Sequence, residues 1–206
     1  MRKVLILGLK LFLLAAVGGL ALGITNMVTA GPIAQQAILA AENARKAVLP
    51  AASSFTEATA PEGLSAVYIA YDAAGAPVGK TGTIVTKGYG GPIEITVGVD
   101  LNGAVTGISV GGSSFAETAG LGARAKEPWF AEQFAGQVAP IAIVKDGGTI
   151  DAITSATITS RAVTKAVDAA VVALGSLTLP CRAAGCGTSC RSSRGRRSDR
   201  RTRSAA

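Results

Sequence analysis

The chain has 206 residues, 49% hydrophobic and 16% charged, which excludes a polar disordered chain, since that needs low hydrophobicity and high charge. It contains no histidine, so Ser-His-Asp and Cys-His catalysis and every His-ligated metal site are excluded. The net charge of +7 sits at one end: residues 1–180 hold 12 Lys/Arg and 12 Asp/Glu, whereas residues 181–206 hold eight arginines and one acid, Asp199.

At the amino terminus Arg2, Lys3 and Lys10 lead into residues 11–30, a stretch of 20 residues without a charge. That length crosses a hydrocarbon core of about 30 Å as a helix, the conformation that satisfies its own backbone in lipid. No cation follows Lys10 until Arg45. The positive-inside bias therefore predicts residues 1–10 in the cytoplasm, a transmembrane helix over 11–30, and the rest on the extracytoplasmic side of the cell membrane. A cleaved signal peptide has the same charged start and apolar run, with Val28-Thr29-Ala30 as a weak cleavage site. On both readings the following domain is exported.

Residues 31–60 are Ala-rich with helical spacing (Ile33, Ala37, Ala40, Ala44, Val48), and Pro50 and Pro61 mark breaks. This segment reads as a helical stalk or linker. Over 61–180 the pattern becomes that of a domain. Strands are predicted at 64–71, 82–86, 92–99, 104–110 and 138–144, with a turn at Asp72-Ala73-Ala74-Gly75. Asn102-Gly103 favours a type I′ hairpin, because both residues tolerate positive φ. Residues 128–134 read as a short helix, and 159–174 as an amphipathic one with Val163, Val167, Ala170, Val171 and Leu174 on one face. With so few aromatic residues, Trp129 and Phe134 are expected in the core. The sum is an α+β fold: an N-terminal transmembrane helix, then a small antiparallel-rich sheet with flanking helices.

The last helix is preceded by Asp151-Ala152-Ile153-Thr154-Ser155-Ala156-Thr157 and continues Ile158-Thr159-Ser160. Ser and Thr at a helix start cap the first free amides, and the same amides with the helix dipole favour a phosphate. Capping alone does not call for so many hydroxyls behind an acid.

These residues resemble the flavinylation motif of the FMN-binding domain family, Asp-x-x-(Ser/Thr)-(Gly/Ser)-Ala-Thr. The family includes the G subunits of Rnf-type ion-translocating ferredoxin:NAD oxidoreductases and the C subunits of sodium-pumping NADH:quinone reductases. The resemblance continues through Lys87-Gly88-Tyr89-Gly90-Gly91-Pro92-Ile93, residues 97–110, and Glu117-Thr118-Ala119-Gly120-Leu121-Gly122, with Trp129 and Phe134 following. Including the anchor it covers residues 1–175, and the G subunits match best. The family usually has proline where Ala119 stands and often a histidine shortly before it.

The resemblance implies FMN held by a phosphoester on Thr157, with Asp151, Thr154, Ser155 and Ala156 as the motif read by a magnesium-dependent flavin transferase. That enzyme would move FMN from FAD to Thr157 and release AMP. Glu117, Thr118, Gly120, Leu121, Gly122, Tyr89, Gly90, Thr159 and Ser160 are the further candidates for contact with the flavin. No catalytic residue and no metal ligand set is expected. The implied role is an electron carrier among the other subunits of a membrane redox complex that couples ferredoxin and NAD chemistry to cation movement. A free-standing extracytoplasmic FMN carrier, and a non-redox exported binding module whose Thr-rich turn only caps a helix, are the rival readings.

Residues 181–206 change to Arg, Ser, Gly and Cys. Cys181, Cys186 and Cys190 are one ligand short of a typical zinc or iron–sulfur set. The segment lacks aromatics for base stacking and reads as a disordered extension with no nucleic-acid partner.

Overall fold

The structure is a computed structural model that describes residues 2–112 and 114–177. The Arg/Cys-rich segment 181–206 lies outside the described residues. The chain opens with one long helix, α1 (Arg2–Val48), whose 47 residues span about 70 Å at 1.5 Å each. It runs through Pro32, so the apolar span and the stalk form one rod. It stops two residues before Pro50, which disfavours helical backbone at the residue ahead of it. The apolar half is bare: Phe12 is 71% exposed and Leu14 72%. Among the described residues one helix, Ile6–Val48, is long and apolar enough to cross a membrane.

The sheet is a five-stranded antiparallel meander in the order β1 (Ser54–Ala58), β2 (Ala66–Tyr71), β3 (Pro77–Lys87), β4 (Pro92–Asp100), β5 (Val105–Gly111). Its first strand falls inside the segment read as stalk, so the sheet begins at Ser54. Two hairpins share one turn design. The Oδ1 of Asp72 accepts the amides of Ala74 and Ala76, and Oδ1 of Asp100 accepts those of Asn102 and Ala104, all at 2.8 Å. Each turn closes on a left-handed glycine, Gly75 at φ 78° or Gly103 at φ 87°. Only Gly103 of the Asn-Gly pair has positive φ, so the expected type I′ turn is not formed. The Asp side chain holds a wider loop in its place.

Register sets the two faces. Val67, Gly82, Val97 and Ile108 lie side by side across β2–β5. On this face sits α3 (Thr157–Ser176), with Leu174 packed directly over Gly82. The alternate positions Gly98 and Gly107 lie under Val48 at the end of α1. There Thr106 donates a 2.6 Å hydrogen bond to the Val48 carbonyl. The sheet is thus sandwiched between α3 and the last turn of the long helix, in accord with the α+β expectation.

The core on the α3 side joins Ile93, Ile95, Val97 and Val99 to Val163, Val167, Ala170, Val171 and Leu174, all buried. The helix face read from the sequence is the face that packs. Two 3-10 turns (Gly122–Lys126 and Val144–Asp146) and the short helix α2 (Pro128–Glu132) close the end of this core. The predicted strand at 138–144 is absent. Pro140 has no amide to give a ladder, and the Ile141 amide donates instead to Asp168 on α3 at 2.8 Å. The apolar residues there are core wedges: Ile141 and Ile143 are buried without strand pairing beyond a single bridge from Ile143 to Ile150. Phe134 is buried as expected, whereas Trp129 is 37% exposed. The Trp129 indole N–H donates to Glu127 and its ring leans edge-on against Phe130, so a polar partner keeps it at the surface.

Candidate functional site

The amino terminus of α3 is the centre of the site. Ile153–Ala156 form a tight turn, closed by the Ala156 amide on the Ile153 carbonyl at 3.0 Å. Within it Ser155 adopts φ 63°, the one non-glycine residue with positive φ among the described residues. This reversal brings the chain into the helix with Ala156 at the N-cap and Thr157 as the first helical residue. No side chain caps the helix. Among the described residues the run of Ser and Thr thus leaves the first-turn amides without a side-chain acceptor, a natural seat for an anion.

Ser160 works inward. Its hydroxyl accepts the Ile153 amide at 2.9 Å and donates to the Ala156 carbonyl at 3.0 Å, fully buried. It pins the turn to the helix and does not line the cleft. Thr154 and Asp151 are exposed, and the Asp151 amide donates to Gln133 at 2.7 Å. One helical turn after Thr157, Arg161 grips Asp146 with two hydrogen bonds of 2.7 Å. Those bonds hold the Asp146 carboxyl below its ordinary value and raise the Arg161 guanidinium above its own.

In front of Thr157 lies an open cleft of about 430 Å³. Its walls bring together Tyr89, Glu117, Thr118, Leu121, Gly122, Ser155, Ala156, Thr157 and Thr159, all singled out in the sequence, and add Ile158. Gly90 and Gly120 are near neighbours in the chain but do not line it. Ile158 is 61% exposed at the start of a helix. An apolar residue on the polar end of an amphipathic helix was the available signal. Tyr89 is 73% exposed and Leu121 40%, so three apolar side chains stand open around the cleft.

The two glycine-rich loops converge on Glu117. Oε1 accepts the Gly90 amide at 3.0 Å and Oε2 accepts the Thr159 hydroxyl at 2.9 Å. A Cβ on Gly88 or Gly122 would run into this carboxylate, and one on Gly90 into the Ala116 carbonyl. The glycines thus make room for one side chain and for close loop contact.

The cleft fits FMN on three counts. Its volume is in the range of small-molecule sites. Its apolar rim suits a flat aromatic ring, and an uncapped start of a 20-residue helix lies beside Thr157 for a phosphate.

The FMN-binding domain family matches residues 88–172, a span that contains the whole cleft. The chain is 39% identical over 189 residues to the G subunit of the Na(+)-translocating ferredoxin:NAD(+) oxidoreductase complex of Acetobacterium woodii, covering 80% of this chain and 88% of that protein. It is 37% identical over 161 residues to the G subunit of the ion-translocating oxidoreductase complex of Escherichia coli K12, covering 69% and 77%. Among solved structures, the C subunit of the Na(+)-translocating NADH-quinone reductase of Parabacteroides distasonis is similar with a TM-score of 0.46 and 25% identity, over 55% of this chain and 64% of that one. The chain belongs to the family of G subunits of ion-translocating oxidoreductase complexes, and it carries that family's FMN-binding domain.

Proposed function

We propose that this chain is a membrane-anchored electron carrier with FMN bound covalently through a phosphoester to Thr157. The observation that carries the reading is the position of Thr157: in the wall of the FMN-sized cleft, at the start of an uncapped helix. Threonine is a weak nucleophile at its ordinary pKa, and no histidine is present in the chain to activate it. As the resemblance to the FMN-binding domain family implies, a separate flavin transferase makes the bond, taking FMN from FAD and releasing AMP. Asp151, Thr154, Ser155 and Ala156 form the segment it reads, and the exposure of Asp151, Thr154 and Ser155 suits that role.

Bound there, FMN supplies reversible uptake and release of electrons. The protein's part is to bind and orient. Tyr89, Leu121 and Ile158 offer apolar contact to the ring. The first-turn amides of α3 and the helix dipole favour the phosphodiester's single negative charge by about 0.3–1 kcal/mol. Helix α1 holds the domain to the membrane, with residues 1–10 in the cytoplasm and the cleft on the opposite side. Its partners are the other subunits of an ion-translocating ferredoxin:NAD oxidoreductase.

The test is electron flow through the assembled complex in native membranes. Thr157→Ala is expected to leave the chain in the membrane fraction while ferredoxin-dependent NAD reduction falls to background, a loss of at least tenfold. Unchanged activity in that variant refutes the role of Thr157.

A further inference from the structure

Glu117 is an unusual strut. It joins the loop at Gly90 to the first turn of α3 at Thr159, spanning 27 and 42 residues of sequence. Both its oxygens accept hydrogen bonds. Among the described residues no cation pairs with it. The ion pairs among the described residues are Arg124–Glu127 and Arg161–Asp146, and Glu117 is in neither.

A strut needs no charge. Glutamine would accept from the Gly90 amide with its oxygen and donate to the Thr159 hydroxyl with its nitrogen, and a neutral group costs less to desolvate. The sequence instead places a negative charge, without an ion-pair partner among the described residues, in the wall of the cleft, facing a rim of Tyr89, Leu121 and Ile158.

We propose that Glu117 is a positioning residue that also acts electrostatically. It clamps the 88–92 loop to α3, and its charge lowers the reduction potential of flavin held in this cleft. The inference rests on the FMN reading above. Two electrons and one proton entering the flavin leave it with one added negative charge, and a fixed carboxylate beside it opposes that gain. The electrons come from the neighbouring redox centre of the complex and the proton from solvent.

The test uses the full chain, co-expressed with a flavin transferase and purified in detergent, as wild type, Glu117→Gln and Thr159→Val. Intact mass first establishes the flavin. Spectroelectrochemical titration with dithionite and mediator dyes then reads the potential. At the potential that half-reduces the wild type, Glu117→Gln is expected to show a reduced-to-oxidised ratio at least tenfold higher, an upward shift of about 30 mV for a two-electron couple. Thr159→Val breaks the clamp but keeps the charge, so it is expected to melt earlier without an upward shift.

An unchanged potential in flavinylated Glu117→Gln overturns the proposal. An equal upward shift in both variants assigns the effect to the clamp and overturns it as well. A Glu117→Gln chain that fails to fold contradicts the isosteric strut on which the argument stands. A wild type without covalent flavin removes the underlying reading of the site, an outcome distinct from all three.

Discussion

Ser155 shows how the motif spends backbone strain to place Thr157. Its φ of 63° lies in the left-handed region, which costs a residue with a Cβ about 1–2 kcal/mol. Glycine avoids that cost but loses about 0.5–1 kcal/mol in chain entropy. Ser155→Gly is therefore expected to lie between neutral and stabilising by about 1.5 kcal/mol, and Ser155→Val to destabilise by about 1–2 kcal/mol. Thermal unfolding followed by Trp129 fluorescence checks both, and a neutral Ser155→Val would sink the strain account. The sequence pattern was enough to single out Thr157 and the small residue at 155. It was silent on Glu117 as the hub of two glycine loops, because a hydrogen bond across 42 residues leaves no local periodicity. Nor did it show that the Ser160 hydroxyl is engaged inside the turn.

Among the elements, legibility followed alternation and helical spacing. The buried face of α3 and strands β2 to β5 were readable because one side of each meets the core. Strand β1, SFTEA, was hidden because its residues are exposed or half-buried at the sheet edge. The stretch 138–144 misled in the opposite sense, since apolar residues that wedge into a core look like a buried strand. The β4–β5 turn gives a test with a sign. Desolvation pushes the Asp100 carboxyl up, but the amides of Ala104, Asn102 and Gly103 and the Asn102 side chain outweigh it and hold it below its ordinary value. A depressed folded pKa contributes stability that is present above the unfolded pKa of about 3.8–3.9 and is lost as pH falls through the folded one. Asp100→Asn keeps an acceptor but loses the charge. Its melting temperature is expected to lie below wild type at pH 7, with the gap closing under about pH 4. A gap that persists in acid would assign the loss to geometry rather than charge.

At the scale of the whole molecule, α1 does two jobs. Its apolar half, exposed along its length, is suited to lipid, and its last residue Val48, with Leu49 just beyond it, seals the sheet face opposite α3, each 2% exposed. The end of the rod packs directly on the sheet, and the cleft sits on the core side of the fold, where α3 begins. One long apolar run and one motif thus carry the account from sequence to role, with packing supplying the link between them.

The most direct test of that account is the intact mass of the full chain, isolated from membranes after co-expression with a flavin transferase, beside Thr157→Ala. The wild type is expected to gain one FMN less one water, with the added mass on the peptide containing Thr157, and the variant to gain nothing. Covalent flavin retained by Thr157→Ala, or absent from both chains, would contradict it.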